Sequence, residues 1–183
     1  GLKKNRLKPP WYSGMAQGIA ISAELDLYRA TNDYGYLIKA QLLYNALALA
    51  YPAKAIPSTG RYVTFIDASN FLWFEEYAGR IKPARVINGH MFAMTGILDY
   101  YCQTGDPQAA QLLDYGATTM LAYWRAVRVP RQPSWYGVRI RNVKRAQSTT
   151  YHVIVTRQFR TLSVMTGDPA FNQVADVLYS DYH

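Results

Sequence analysis

Four short segments of the chain combine aromatic side chains with polar or charged ones. They are residues 11–18 (WYSGMAQG), 73–77 (WFEEY), 86–90 (VINGH) and 135–139 (WYGVR), the last of which is followed by Tyr151 and His152. Tyrosine and tryptophan stack against sugar rings while offering a polar handle, and arginine pairs with anions. For any one segment, structural packing explains the aromatic residues equally well, and Glu75 and Glu76 are equally consistent with surface charges. The function that these residue types would serve, if they form a site, is recognition of a sugar or an anion.

Motifs of several other common sites are absent from the sequence, among them Gly-rich phosphate loops, nucleophile elbows, zinc-protease helices and EF-hands. His90, His152 and His183 lie far apart, and a metal site built on the first two needs a third ligand that the sequence does not indicate. We therefore predict no metal and no cofactor. Cys102 is the sole cysteine, which excludes an intrachain disulfide, and its apolar neighbours predict a buried, inert thiol.

The positive charge of the chain is concentrated in one interval. The net charge is +8, and no aspartate or glutamate occurs between Asp114 and Asp168. That interval carries nine cations, which are Arg125, Arg128, Arg131, Arg139, Arg141, Lys144, Arg145, Arg157 and Arg160. Such asymmetry favours a polyanionic partner, and nucleic acid, anionic lipid and acidic polysaccharide all satisfy it. A solvated basic face is the alternative.

Helices are the elements that must position these segments. Turn signals at residues 31–33, 104–107 and 166–169 each separate two apolar runs with helical periodicity, and the last two combine Gly, Asp and Pro. The predicted helices are 13–30 with 34–51, 89–103 with 107–126, and 151–165 with 169–182. Apolar residues surround most of helix 34–51, which suits a helix buried in a larger array. Three successive helical hairpins predict a mainly all-α fold, an α/α-toroid or part of one.

Two insertions interrupt the helices. Residues 61–77 are predicted to form a strand, a turn and a second strand, and residues 135–140 are a further short strand candidate. We expect one domain over residues 1–183, with a basic N-terminal segment at 1–10. No apolar stretch of the sequence is long enough to span a bilayer.

Read together and in order, the motifs resemble one family. WYSGMAQG, WFEEY, VINGHMF, WYGVR and the dipeptide at 151–152 resemble the C-terminal domain of heparosan-type D-glucuronyl C5-epimerases from about Trp11 to the end of the chain. The resemblance implies an α/α-toroid domain without a cofactor, often in a dimer, in an extracytoplasmic compartment or the Golgi lumen. The family's N-terminal β-rich domains are expected to be missing from this sequence.

The resemblance also implies roles for individual residues. The family's catalytic carboxylate falls on Glu76, beside Tyr77, and its two site tyrosines fall on Tyr136 and Tyr151. We therefore predict Glu76, Tyr136 and Tyr151 as catalytic. The residues predicted to bind substrate lie in the same segments and are Arg139, Tyr77, Tyr12, Gln17, Asn88 and His152.

The implied reaction inverts C5 of glucuronic acid within a polymer and gives iduronic acid. The C5 proton lies α to a carboxylate, so its removal builds negative charge on the carboxyl oxygens, which Arg139 would stabilise. Inversion needs a base on one face of the ring and an acid on the other. Glu76 and Tyr151 are the proposed pair, and desolvation by Trp73 and Phe74 would raise the pKa of Glu76.

The sequence departs from the family pattern around these residues. Gly137, Val138 and Ile140 replace the usual Asp, Leu and His around Arg139, Val155 replaces a second histidine, and an Asn–Gln pair becomes Arg157 and Gln158. These departures concern the identity of the polymer more than the type of reaction. Two alternatives stay open, a uronate polysaccharide lyase that begins with the same proton abstraction and a non-catalytic module that binds polyanionic glycans. A nucleic-acid partner has the least support, since no nucleic-acid-binding motif accompanies the charge.

Overall fold

The computed structural model describes residues 7, 11–58, 61–79, 83–140 and 147–183. These residues form six α-helices and three short strands, which are α1 (Gly14–Thr31), α2 (Tyr34–Ala48), β1 (Ala50–Pro52), β2 (Thr64–Ile66), β3 (Leu72–Phe74), α3 (Ile87–Thr104), α4 (Pro107–Val127), α5 (Thr149–Thr166) and α6 (Ala170–Asp181). The predicted mainly helical class with short β insertions is confirmed. The basic segment at 1–10, apart from Leu7, and the cations at 141, 144 and 145 lie outside the described residues.

The helices pair into three hairpins at the corners predicted from the sequence. Gly105 ends α3 in the left-handed conformation (φ 69°), and the Asp106 carboxylate accepts a hydrogen bond of 2.8 Å from the backbone N of Gln108. The corner between α5 and α6 also has a left-handed glycine followed by a capping aspartate. In the first corner Asn32 takes the left-handed position (φ 57°), and Asp33 caps α2. Whether the hairpins belong to an α/α-toroid stays a prediction.

The first and second hairpins touch backbone to backbone where α1 crosses α3. A Cβ atom added at Gly96 would collide with the backbone of Gly18, and one added at Gly18 would lie 2.5 Å from the Cα atom of Ala93. Only glycine permits this approach. Gly18, in the WYSGMAQG segment, therefore packs α1 against α3.

The core joins the sheet to the helices. Trp73 and Phe74 of β3, Phe65 of β2 and Ile87 and Met94 of α3 are among its largest buried side chains. Burial of each such side chain stabilises the fold by about 1.5–3 kcal/mol. All three residues of β3 are buried, so the chain that leaves β3 towards Glu75 starts from the interior.

The structure corrects the predicted end of the second helix. Helix α2 ends at Ala48, and Ala50–Pro52 instead form β1, which pairs in parallel with β2. Pro52 disfavours the helical conformation at the preceding residue, so the chain becomes extended there. The strand, turn and strand predicted within 61–77 are confirmed by β2 and β3, which pair in the antiparallel sense.

Two further predictions about local structure were wrong. The strand expected at 135–140 is replaced by isolated bridges, because the chain turns between Gly137 and Ile140 and Gly137 also pairs with Val86. Cys102 is exposed, not buried. The apolar run that contains Cys102 is part of α3, and the helix turns its side chains in different directions. Ile97 and Tyr100 therefore face the core, whereas Cys102 faces outward.

Helix α2 is also less buried than its sequence indicates. Ile38 and Leu42 are 51% and 64% exposed, whereas Ala40, Tyr44 and Leu47 pack in the core. In the described part of the chain α2 therefore lies at the surface. None of the helices described is long and apolar enough to cross a membrane.

Candidate active site

Glu76 is a buried carboxylate at the start of the turn that follows β3. Glu76 is only 3% exposed, and the Tyr136 hydroxyl donates a hydrogen bond of 2.9 Å to its Oε1 atom. Its Oε2 atom is buried without a hydrogen-bond partner. Burial raises the pKa of Glu76 above its usual value, and the hydrogen bond from Tyr136 opposes that rise. Oε2 thus remains an acceptor without a partner among the described residues.

Tyr136 links Glu76 to two further tyrosines, Tyr77 and Tyr151. The hydroxyl oxygens of Tyr77 and Tyr136 are 3.1 Å apart, and since Tyr136 donates to Glu76, Tyr77 is the donor of this second bond. The ring centroids of Tyr136 and Tyr151 are 4.6 Å apart. Burial raises the pKa of Tyr77 to about 12 and also raises that of Tyr136. We call Glu76, Tyr77, Tyr136 and Tyr151 the carboxylate–tyrosine cluster.

The first turn of α3 fixes the position of the Glu76 side chain. A Cβ atom added at Gly89 would collide with the Oε2 atom of Glu76 and lie 2.8 Å from its Cβ atom. The backbone carbonyl of Tyr136 accepts a bond from the backbone N of Ile87, and Gly137 forms a bridge with Val86. The start of α3 therefore brings the Glu76 and Tyr136 segments together.

Tyr151 enters the cluster from the first turn of α5. The hydroxyl of Ser148 caps this helix and lies 3.5 Å from the backbone N of Tyr151. Tyr151 is 40% exposed, whereas Glu76 is buried. Tyr151 is therefore the most exposed member of the cluster.

Glu75 has different hydrogen-bond partners from its neighbour Glu76. Its Oε1 atom accepts from the backbone N of Tyr77 at 3.1 Å, and its Oε2 atom accepts from the backbone N of Arg85 at 3.1 Å. Its own backbone bonds to Val63 and Gly14. Both glutamates are buried, so the alternative that they are surface charges was wrong. Glu75 holds the loop that presents Glu76.

Arg139 is not joined to the cluster. Its backbone N donates to the carbonyl of Ala84 at 3.2 Å, and its exposed side chain lines a cavity of about 460 Å³ together with Arg85. Within the described ranges, no hydrogen bond or ion pair connects its guanidinium to Glu76, Tyr136 or Tyr151. Its contact with the substrate carboxylate stays a prediction.

The family model for the D-glucuronyl C5-epimerase C-terminus matches residues 1–179. The chain belongs to this family. The match includes every member of the carboxylate–tyrosine cluster, and it confirms the resemblance on which their roles were predicted.

Two of the predicted substrate-binding residues of this C5-epimerase-family domain lie at a second, smaller cavity. Tyr12 and Gln17 line a cavity of about 150 Å³ with Arg61 and Tyr62, and the Oε1 atom of Gln17 is buried without a partner. Tyr12 also accepts a bond through its carbonyl from the backbone N of Ala78, which ties this segment to the turn after Glu76. The structure thus places them beside that turn.

Asn88 is on the first turn of α3, next in sequence to Gly89, which packs against Glu76. It is 2% exposed, its Oδ1 atom has no partner, and its backbone carbonyl accepts a bond of 3.1 Å from Nε2 of Gln158. Gln158 was not predicted as a site residue. Gln158 lies seven residues after Tyr151 on α5, so both residues are on one face of that helix. This spacing is the sequence signal from which Gln158 could have been predicted.

His152 is held inside the C5-epimerase-family domain by backbone groups. It is 1% exposed, its Nδ1 atom accepts from the backbone N of Ser134 at 3.0 Å, and its Nε2 atom lies 3.0 Å from the carbonyl of Leu178. These contacts join α5 to α6 and to the loop before Tyr136. Its predicted contact with substrate stays a prediction that this position does not support.

His90 and Asp67 support the site and were not predicted to do so. The Nδ1 atom of His90 accepts from the backbone N of Phe74 at 3.0 Å, and burial lowers the pKa of His90 to about 4. Asp67 accepts bonds from Trp73 and Tyr123, and although burial raises its pKa, these hydrogen bonds hold it below the usual range. Among the residues described, no group of three or more His, Cys, Asp or Glu side chains could hold a metal ion.

Proposed function

We propose that this domain is an isomerase that inverts C5 of D-glucuronic acid units within an acidic, heparosan-type polysaccharide. Family membership supports the class of reaction, and the observation that carries the proposal is the carboxylate–tyrosine cluster. It contains a buried carboxylate of raised pKa with one oxygen unpartnered, and the tyrosine that donates to this carboxylate packs against an exposed tyrosine on another element. The basic charge of the chain favours such a polyanionic substrate.

The cluster supplies the two groups that inversion requires. One member of the pair Glu76 and Tyr151 takes the C5 proton from one face of the ring as the C5–H bond breaks. The electron pair moves towards the substrate carboxyl group, and the other member then returns a proton to C5 from the opposite face. Each correctly placed acid or base typically contributes about 10²–10⁴-fold in rate.

The remaining members of the cluster tune that pair. The raised pKa of Glu76 brings a carboxylate closer to the basicity needed for proton transfer at neutral pH. Tyr136 orients Glu76 through its hydroxyl, and Tyr77 orients Tyr136. Arg139 is the cation that we assign to the substrate carboxylate on family resemblance, and its exposed side chain is accessible to a polymer.

Deuterium exchange tests this function directly. The protein is incubated in D₂O with heparosan and related uronate polymers, and deuteration at C5 is followed by NMR. We expect exchange in an intact polymer, reduced by about 10²-fold or more in Glu76→Gln and Tyr151→Phe. Tyr115→Phe, which changes an exposed tyrosine elsewhere on the surface, is the matched control and keeps the exchange rate.

Two outcomes contradict the proposal. An unsaturated product that absorbs in the ultraviolet identifies a lyase, because epimerisation forms no double bond in the product. A polymer that binds but exchanges no deuterium identifies a non-catalytic binding domain.

A further inference from the structure

Two arginines, Arg85 and Arg139, line a cavity of about 460 Å³. The reaction proposed above uses Arg139 but not Arg85. The cavity is also lined by the apolar residues Ile56, Pro57, Phe65 and Pro83, and by small residues that include Ala68. Its volume lies within the range of about 300–1,000 Å³ that small-molecule sites occupy. Apolar walls with two guanidinium groups suit a sugar ring that bears an oxyanion.

Arg85 is fixed at this cavity by the surrounding structure. Its Nη1 atom lies 3.3 Å from Oδ2 of Asp67 and 3.5 Å from the hydroxyl of Tyr123, and its side chain is only 15% exposed. Its guanidinium also lies over the rings of Trp73 and Tyr123, with centroid distances of 5.8 and 5.6 Å. Folding has therefore already ordered the Arg85 side chain, so binding of an anion does not incur that loss of side-chain entropy.

Arg85 has donor capacity beyond these contacts. Asp67 and Tyr123 approach its Nη1 atom, whereas its Nε atom is buried without a partner in the protein. Leaving such a donor unpaired costs about 1–3 kcal/mol. The backbone of Arg85 is in the left-handed region at φ 54°, which costs about 1–3 kcal/mol in a residue that is not glycine and is typical of functional positions.

The cavity is connected to the carboxylate–tyrosine cluster through the backbone. The backbone N of Val138 donates to the carbonyl of Arg85 at 3.0 Å, and Arg139 bonds in the same way to Ala84. Tyr136 of the cluster and Arg139 of the cavity are three residues apart, a separation of at most about 10 Å along the chain. A short oligosaccharide can therefore reach both.

We propose that this cavity is a second anion-binding subsite, in which Arg85 holds an oxyanion on a sugar unit near the reacting one. The oxyanion is the carboxylate of another uronate or the N-sulfate of a glucosamine unit, and both are anionic oxygen groups that a guanidinium recognises. The identity of the polymer rests on the proposed function, whereas the presence of an anion site does not. Arg85 fixes the register in which the polymer lies across the cluster.

Calorimetric titration with size-defined oligosaccharides tests the subsite. The titrants are heparosan octasaccharide and its N-sulfated form, and the variants are Arg85→Met and Ala68→Phe. The first removes the cation, while the second places a ring in the cavity from an exposed turn and keeps the contact between Arg85 and Asp67. Arg125→Met removes one exposed positive charge on α4 and is the control for net charge.

We expect both cavity variants to weaken binding by about 10-fold or more, as loss of a charged hydrogen bond does, while Arg125→Met changes the Kd less than about 2-fold. A loss with both titrants assigns a carboxylate to the site, and a loss confined to the N-sulfated form assigns a sulfate. Equal effects of Arg85→Met and Arg125→Met overturn the proposal, as does unchanged binding by a folded Ala68→Phe variant. Thermal unfolding verifies folding.

Deuterium exchange at C5 separates this inference from the proposed function. Binding that depends on Arg85 without any exchange retains the subsite and removes the epimerase activity. Exchange in which Arg85→Met leaves the KM unchanged retains the activity and removes the subsite. If both hold, Arg85→Met raises the KM by a larger factor than it lowers kcat.

Discussion

Glu75 and Glu76 are adjacent, identical in type and both buried, but their carboxylates meet different partners. Glu75 accepts hydrogen bonds from the backbone of Tyr77 and Arg85, whereas Glu76 accepts from the Tyr136 side chain and keeps its Oε2 atom unpartnered. Backbone donors are fixed by the fold, so Glu75 stabilises a loop. A buried carboxylate with an unpartnered oxygen costs stability and gains reactivity.

Replacing Glu76 by glutamine is expected to stabilise the protein at neutral pH. Its pKa is raised in the folded state, so the folded protein binds the carboxyl proton more tightly than the unfolded chain, and stability falls as pH rises above the unfolded value near 4.5. Glutamine removes this penalty and keeps an acceptor for Tyr136. For a domain of this size, 1 kcal/mol corresponds to a Tm change of about 2–4 °C.

Thermal unfolding of wild type and Glu76→Gln over a pH series measures this effect. The difference in Tm should be largest at neutral pH and should shrink as the pH falls through 4.5, because the carboxyl then becomes protonated in both the folded and the unfolded wild type. A variant less stable than wild type at neutral pH would show that the Glu76 carboxylate has a stabilising partner.

Removing the Tyr136 hydroxyl is expected to shift the pH dependence of the reaction. That hydroxyl donates to Oε1 of Glu76 and thereby lowers its pKa against the effect of burial. In Tyr136→Phe the pKa of Glu76 rises further, so the acidic limb of the pH profile of kcat/KM moves to higher pH if Glu76 must be ionised. Deuterium exchange rates across pH measure the limb. A limb that stays in place, or moves to lower pH, contradicts the role of Glu76 as the titrating base.

Whole elements decide where the site forms. The end of β3 delivers Glu76, the first turn of α3 packs against it through Gly89, and the first turn of α5 delivers Tyr151. The segment with Tyr136 contributes no strand and is instead anchored to residues 84–87 by backbone hydrogen bonds. Helix and strand termini place these side chains more rigidly than a long loop would.

Gly89→Ala tests how α3 holds the Glu76 carboxylate, which we propose to be catalytic. The added methyl group meets the Glu76 side chain, so we expect a loss of about 1–3 kcal/mol in stability and about 10²-fold in C5 exchange. Gly35→Ala on α2 is the matched control, since its Cβ would meet only the side chain of Asp33, at 3.1 Å. Urea unfolding and deuterium exchange measure both variants. Equal behaviour of the two would show that Glu76 adjusts without loss of function.

At the scale of the whole molecule, one buried histidine links the sheet to two helices. His90 on α3 accepts from Phe74 of β3 and, in its neutral form, donates to the carbonyl of Gly116 on α4 at 3.1 Å. Protonation would place a charge in the core and remove the acceptor for Phe74. Stability of the molecule should therefore depend on pH through this residue.

The protein is expected to lose stability as the pH falls from about 6.5 to 4. The pKa of His90 is about 4 in the folded state and 6.5 when unperturbed, so the unfolded chain binds the proton first. The maximum slope is about 1.4 kcal/mol per pH unit. His90→Gln should be less stable at neutral pH and less dependent on pH in this window, as measured by urea unfolding.

His183→Gln is the control for that measurement, because His183 is exposed at the end of the chain. Glu76 contributes a slope of opposite sign above pH 4.5, and the Glu76→Gln variant removes it. An unchanged slope in His90→Gln would show that another group controls acid stability.

The sequence by itself determined the class of fold, the helix corners and the family, although the predicted second helix ended too late. Asn32, Asp106 and the glycines at 105 and 167 act through their own neighbours along the chain, so local chemistry was enough to predict them. The order of the aromatic motifs was enough for the family, which the match to residues 1–179 confirmed. The same order of motifs was the basis for predicting Glu76, Tyr136 and Tyr151 as catalytic residues.

Only the tertiary structure decided how these residues meet. The hydrogen bond between Tyr136 and Glu76 joins residues 60 positions apart, and the burial that distinguishes Glu76 from a surface charge comes from α3 and β3 packing around it. The supporting roles of His90 and Asp67, the exposure of Cys102 and the position of Arg139 beside Arg85 likewise depend on which distant segments of the chain touch. Such contacts are set by long-range packing, because the same local sequence can face the core or solvent according to its neighbours in space.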